Sequence, residues 1–239
     1  MNYTITEIAT NVKSQIRAYK DNTITALLTD SRSLTFPEET LFFALVTERN
    51  DGHRYIKDLY RKGVRNFVVE HRVADEELMP EANIIIVKNT LAALQQLAAA
   101  HRKKFDIPVI GVTGSNGKTT VKEWLYQLLQ PDYNTVRSPR SYNSQIGVPL
   151  SVWQIGSKTE MAIFEAGISQ HDEMIHLEEI IKPTLGLITN IGEAHQEGFQ
   201  TIQQKCIEKL TLLKACDCII YDGDNELICE CVEKLCFGC

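Results

Sequence analysis

The sequence predicts an α/β protein in two parts. A small N-terminal α/β domain is followed by a parallel sheet of the phosphate-loop type with helices on both faces. Three observations carry this. In the second half, short apolar runs ("PVIGVTG", "MAIFEAG", "LGLITNI", "CDCIIYDGD") alternate with helical stretches such as "GKTTVKEWLYQLLQ" and "DEMIHLEEIIK". Continuous apolar strands separated by helices are the pattern of a parallel sheet covered on both faces. The first half mixes strand-like runs ("ITALLTD", "TLFFALV", "NFVVE", "NIIIVK") with helical ones ("GHRYIKDLYRKG", "TLAALQQLAAAHRKKF"). Between strand and helix at the start of the second half lies a glycine-rich turn, "TGSNGKTT".

A chain of 239 residues fits one large domain or two small ones. Hydrophobic content of 44% and charged content of 23% are those of an ordinary globular protein. A net charge of -6 argues against broad nucleic-acid binding, which needs a basic face. No apolar run is long enough for a membrane span. The opening "MNYTITEIAT" lacks the basic and apolar regions of a secretory signal, so a cytoplasmic protein is expected.

All seven cysteines lie from Cys206 to Cys239, with two C-x-C pairs, Cys216/Cys218 and Cys229/Cys231. Zinc sites more often use C-x-x-C. Cys218 falls in a strand-like run and the last four in a helix-like run, so these read as small buried hydrophobes in a reducing compartment.

In the first part, Leu91, Leu94, Leu97 and Ala98 recur at helical spacing. The boundary is expected near Phe105–Pro108, because proline disfavours helix at the residue before it. That gives domains at 1–105 and 106–239. In the second part, ligands are expected at the carboxyl ends of the strands. Every motif there falls just past such an end.

The turn "GVTGSNGKTT", residues 111–120, has strand, glycines and helix start in the order a phosphate cradle needs. N–H groups at a helix N-terminus favour an anion, and Gly114 and Gly117 permit close approach and unusual dihedrals. Lys118 reaches the outer phosphates and the Thr119 hydroxyl ligates magnesium. Thr113, Gly114, Ser115, Asn116, Gly117, Lys118, Thr119 and Thr120 form the expected nucleotide site. The strict Walker A pattern places glycine at 112, where this chain has Val112, with Gly111 one residue early. The essential "GKTT" is intact.

This loop resembles the ATP loop of the Mur ligases, which carry T-G-x-[NK]-G-K-[ST] and no glycine at the strict position. Other segments share the resemblance. "SPRSYNSQIGVPLSVW" matches the family's N-x-x-x-G-x-P at Asn143, Gly147 and Pro149. The resemblance implies that Asn143 orients substrate or phosphate, although alone the stretch is a polar loop before a helix. Glu165 ends the strand in "FEAGIS". A carboxylate there, facing a phosphate loop, suits magnesium, and the resemblance assigns it that role. "TNIGEAHQEGF" is similar to the family almost residue for residue and implies a magnesium-binding His195. By spacing alone that histidine is a plain polar group. In "QKCIEKLTLLK" the family register favours Lys209, over Lys205 and Lys214, as a lysine carried as a carbamate that binds a second magnesium. Burial and neighbours can lower a lysine pKa, and the neutral amine is what carbon dioxide attacks. "TDSRSL" and "ERNDGHRYI" are similar to the family's uridine-diphosphate end. They imply substrate contacts at Ser31, Arg32, Asp51, Gly52 and His53, though D-S-R and D-G-H alone are common loop tripeptides.

"DSR…DGH" with "GEAHQEGF" points to the branch of the family that joins D-alanyl-D-alanine to UDP-N-acetylmuramoyl-tripeptide in peptidoglycan precursor synthesis. The implied chemistry uses ATP and Mg2+. The γ-phosphoryl group goes to the terminal carboxylate, the dipeptide amine attacks the acyl phosphate, and phosphate leaves. Lys118, His195 and Lys209 are the implied catalytic residues; Thr119, Glu165, His195 and Lys209 are the implied metal ligands. The family's third, C-terminal domain is expected to be missing from a chain ending in "EKLCFGC", which would leave little or no turnover. Some such ligases carry a fused alanine racemase, of which nothing is visible here. Two alternatives stay open: another Mur-type or folylpolyglutamate synthetase-like ligase, and a non-catalytic nucleotide-binding module.

Overall fold

The computed structural model describes residues 2–73, 76–192 and 199–237. These divide into two compact units, Met1–Ala100 and His101–Cys239.

The first unit opens with strand β1 (Tyr3–Thr4) and helix α1 (Ile5–Asn11), followed by β2 (Gln15–Arg17), β3 (Thr23–Ile24) and β4 (Ala26–Leu28). A capping box starts α1: the Thr4 hydroxyl accepts the Glu7 N–H while the Glu7 carboxylate accepts the Thr4 N–H. Next come β5 (Thr40–Phe43), the short strands β6 (Val46–Thr47) and β7 (Asn50–Asp51), α2 (Ile56–Arg61), β8 (Asn66–Val69), β9 (Asn83–Ile86) and α3 (Thr90–Arg102). The main sheet has the order β2-β9-β8-β5-β4, parallel except where β2 meets β9. All four expected strands are in it. One face packs Phe42, Phe67 and Ile84 against Ile56 and Leu59 of α2. The expected helix at "GHRYIKDLYRKG" starts late. Asp51 accepts the His53 N–H and caps a 3-10 turn, Gly52–Tyr55, before α2 begins.

In the second unit, β10 (Val109–Thr113), α4 (Lys118–Leu129), β11 (Thr135–Arg137), α5 (Gly147–Val152), β12 (Met161–Glu165), α6 (Glu173–Ile181), β13 (Leu185–Ile188), α7 (Ile202–Leu210), β14 (Cys218–Ile220) and α8 (Glu226–Phe237) follow in order. The five strands are all parallel, in the order β11-β12-β10-β13-β14. The first strand, β10, is therefore central, and the chain winds to one side of it and then to the other. The crevice at the carboxyl end of such a strand is the ligand position of open α/β sheets. Three apolar residues four apart, Val121, Leu125 and Leu129, lay α4 on Ile110, Val112 and Ile163 of the sheet. No helix among the described residues is long and apolar enough to cross a membrane.

Candidate functional site

Strand register brings the motifs of the second unit together. Val112 pairs with Glu165 at the end of β12, and Thr113 pairs with Ile188 at the end of β13. The turn after β10 thus lies between Glu165 on one side and Thr189–Asn190 on the other. Thr189 donates from Oγ1 to the Asn116 carbonyl at 2.6 Å, Ser115 N–H donates to the Asn190 carbonyl at 2.8 Å, and Asn116 N–H donates to Asn190 Oδ1 at 3.0 Å. Ser115 Oγ also accepts the Gly192 N–H at 3.0 Å. Thr113 is a buried strut, its hydroxyl donating to the Ala166 carbonyl at 3.2 Å.

The glycines differ in purpose. Gly114 has φ +136°, and a Cβ there would collide with Thr189 Oγ1. Gly117 has φ +79° with open space around it, so only its backbone needs glycine. Gly111 lies inside β10, where a Cβ would sit 2.9 Å from Pro183 Cβ. It is a packing glycine, and the displacement from the strict pattern leaves the turn itself unaltered.

Gly117 is the N-cap of α4 and supplies no side-chain cap, so the first turn's N–H groups have no side-chain acceptor at that position. Unpaired N–H groups at a helix N-terminus favour an anion. Lys118 Nζ donates to the carbonyls of Gly114 and Ser115, at 2.8 and 3.2 Å. Burial lowers its pKa, Glu165 opposes the shift and Lys205 adds to it. Thr120 is exposed.

Glu165 is fully buried at the bottom of the site. Its Oε1 accepts the Thr119 hydroxyl at 3.2 Å and the Asn143 side-chain amide at 3.2 Å, while Oε2 has no hydrogen-bond partner. The Asn143 amide thus faces Glu165. Lys205 and Lys209 of α7 are both buried, and Lys205 Nζ donates to the Gly192 carbonyl. Burial, followed by the charges of Lys118 and Lys205, lowers the Lys209 pKa to about 8. About a tenth of it is then neutral at pH 7. His195 lies outside the described residues.

The sequence reading missed two residues that pack behind this site and support Glu165. Ser138 Oγ accepts the Glu165 N–H at 3.2 Å, and Lys122, one turn past Lys118, is fully buried beside Glu165. A lysine on the same face as Val121 and Leu125 was the available signal.

The first unit holds the other expected residues. The exposed Arg32 guanidinium grips Asp30 through two bonds, Nε–Oδ1 at 2.9 Å and Nη2–Oδ2 at 2.6 Å. These hold the Asp30 carboxyl at a pKa of about 2. Ser31 opens the same turn. Gly52 is required because a Cβ would lie 2.8 Å from the Ala44 backbone. His53 Nε2 accepts the Glu70 N–H at 3.0 Å, so the proton of the neutral ring is on Nδ1, which donates to Asp51 at 2.6 Å. Burial raises the Asp51 pKa, but bonds from the His53 N–H and ring leave it lowered overall. His71, not singled out from sequence, stacks on His53 at 3.9 Å. Asp51, His53 and His71 form the one potential cation-binding trio of His, Cys, Asp or Glu among the described residues. Both His53 nitrogens are already engaged, so the trio reads as a hydrogen-bonded, stacked cluster. The described cysteines form no such group: Cys206 and Cys231 are buried, Cys218 is exposed, and burial followed by the contact with Cys231 pushes the Cys206 thiol up.

Both units are similar to known proteins. The family model for the Mur ligase middle domain matches residues 112–235, and that for the Mur ligase family catalytic domain matches residues 23–102. The UDP-N-acetylmuramoyl-tripeptide--D-alanyl-D-alanine ligase of Bacillus subtilis is 35% identical over 231 residues, covering 94% of this chain and 50% of its own. The Treponema pallidum enzyme of the same name is 38% identical over 187 residues, covering 75% of this chain and 40% of its own. MurF from Acinetobacter baumannii superposes with a TM-score of 0.89 at 26% identity, covering 98% of this chain and 52% of that one. MurF from Thermotoga maritima, solved in complex with ADP, gives 0.75 at 27% identity, covering 86% and 47%. The chain spans about half the length of the curated relatives it matches first. Matched across both units and carrying the family's phosphate loop, the chain belongs to the Mur ligase family.

Proposed function

We propose that the chain supplies the nucleotide and acyl-donor sites of an ATP-dependent cytoplasmic ligase. That ligase joins D-alanyl-D-alanine to UDP-N-acetylmuramoyl-tripeptide. Residues 106–239 would hold ATP and residues 1–105 the UDP end of the donor. The observation that carries the reading is the 3.2 Å separation of Thr119 Oγ1 and Glu165 Oε1 beside the uncapped start of α4. Adjacent oxygens on one octahedral Mg2+, each about 2.1 Å from the metal, are about 3 Å apart, so this pair fits. Glu165 Oε2, which accepts no hydrogen bond, leaves further acceptor capacity in a buried carboxylate.

A carboxylate is a poor electrophile because its charge repels nucleophiles and oxide leaves badly. Phosphorylation by ATP removes both obstacles. The chain's part is positioning and charge neutralisation. The N–H groups of α4 and Lys118 would cradle phosphate oxygens, and Thr119 and Glu165 would hold Mg2+, which would supply countercharge when bound. His195 keeps the metal role implied by the resemblance. The neutral fraction of Lys209 suits carbamate formation: the ammonium loses one proton to solvent, the amine nitrogen bonds the carbon of CO2, a second proton leaves to solvent, and the former cation is an anion that would hold a second Mg2+. In the first unit, Ser31, Arg32, Asp51, Gly52 and His53 line the proposed diphosphate and uracil contacts.

Calorimetric titration of the 239-residue chain tests this. MgADP is expected to bind, and Lys118→Ala to weaken it at least about tenfold, roughly 1.4 kcal/mol. UDP-N-acetylmuramoyl-tripeptide is expected to bind more tightly than the UDP-dipeptide. Preference for the dipeptide would transfer the chain to a ligase that adds the third residue, and absence of MgADP binding at millimolar concentration would sink the nucleotide site.

A further inference from the structure

Lys122 is a lysine with no exposed surface, on the sheet-facing side of α4. Burying an ammonium is costly unless it is paired and fully hydrogen-bonded. A methionine or leucine would serve for simple packing between helix and sheet, so the charge needs a reason. Its partners supply one. Nζ donates to the Ser138 carbonyl at 2.7 Å and to the Arg140 carbonyl. It lies 3.2 Å from Glu123 Oε1 and 3.9 Å from Glu165 Oε2. Glu123 in turn pairs with Arg137 Nε at 2.9 Å.

These partners converge on one carboxylate. Ser138, whose carbonyl Lys122 binds, accepts the Glu165 N–H through its own hydroxyl. Arg140 is held at φ +49°, a left-handed conformation that a non-glycine residue adopts at a cost. Three residues on, Asn143 donates to Glu165 Oε1. The Glu165 side chain is therefore held on the Oε1 side by Thr119 and Asn143. On the Oε2 side no hydrogen bond holds it, and Lys122 is the ion-pair partner there.

We infer that Lys122 is a positioning residue: it locks Glu165 and the 138–143 segment in the orientation that turns Oε1 toward Thr119, and so builds the cation site before a cation arrives. This rests on the proposed magnesium role of Glu165. It predicts that Lys122 governs how much magnesium adds to nucleotide binding, with little influence on the nucleotide alone.

The test is calorimetry of ADP binding to the 239-residue chain, in EDTA and in Mg2+, for the native chain and for Lys122→Met, Glu165→Gln and the double variant. The magnesium increment is the ratio of the two affinities. Lys122→Met is expected to cut that increment about tenfold while leaving metal-free ADP affinity within about twofold. The double variant is expected to lose no more than Glu165→Gln alone, because both act through one carboxylate. If Lys122→Met does not fold, Lys122→Gln carries the same expectation, since its amide can still donate to the loop carbonyls while the charge is gone. Equal weakening with and without magnesium would mean a merely structural lysine and overturn the inference. So would an increased magnesium affinity, which would mean that the ammonium only competes with the metal. A Glu165→Gln variant that keeps its increment would instead remove the magnesium reading itself. Loss in Glu165→Gln with retention in Lys122→Gln would remove only the role of Lys122.

Discussion

Gly114 and Gly117 share one turn and fail differently when replaced. Alanine at Gly117 meets no neighbour and bears only the left-handed backbone, about 1 kcal/mol. Alanine at Gly114 would add a collision with Thr189 Oγ1 to its unfavourable φ, and overpacking of that kind costs about 1–3 kcal/mol more. Urea denaturation of the two variants should therefore rank Gly114→Ala well below Gly117→Ala, and equal losses would mean that the turn relaxes freely. Lys209 gives a second prediction at this scale. Its folded pKa of about 8 lies below the ordinary 10.5. Between those values the unfolded chain binds more protons than the folded one, so this lysine's contribution to stability rises with pH across that window. Below pH 8 the full penalty is present, about 3 kcal/mol at most. Lys209→Met should stabilise the chain at pH 7 and flatten the rise between pH 8 and 10.5, as read from thermal melts at stepped pH. Both glycines and Lys209 were legible in the sequence, the glycines from the motif and the lysine from family register. Ser138 was not, and Lys122 showed only as a lysine beside the apolar positions Val121 and Leu125, which reads as a solvated charge until tertiary packing buries it.

The elements show the same division. The helix α4 was legible because Val121, Leu125 and Leu129 repeat every four residues and the sheet beneath is apolar. Its outward residues Trp124 and Leu128 remain 62% and 73% exposed, so the same helix has apolar side chains on both faces and only packing says which face is buried. The strand β11 is three half-buried residues and carries too little apolar pattern to announce itself. The 3-10 turn at Gly52–Tyr55 displaced an expected helix start because Asp51 captures the His53 N–H. The helix α1 rests on its capping box, and Thr4→Ala should cost about 1 kcal/mol, measurable as a shift in the denaturation midpoint of the first unit. No measurable shift would mean that packing of Ile5 and Ile8 alone holds that helix.

Across the molecule, the strand order β11-β12-β10-β13-β14 assembles the proposed nucleotide site from segments far apart in the chain. Binding of MgADP at a hundred times its dissociation constant should stabilise the second unit by about 2.7 kcal/mol. Hydrogen-exchange protection should gather at 111–120, 138–143, 165–169 and 189–192. Protection confined to the first unit would contradict the site. The sequence by itself determined the α/β class, the alternation of strand and helix, the phosphate loop and the family. Each of these depends on local periodicity or on a contiguous motif, where neighbours along the chain fix the conformation. Only the tertiary structure decided that Gly111 serves packing, that Asn143 spends its amide on Glu165, that both nitrogens of His53 are engaged, and that a buried lysine stands behind the Glu165 carboxylate. Those facts depend on strand register and burial, which are set by residues distant in the sequence and are invisible until the sheet has closed around them.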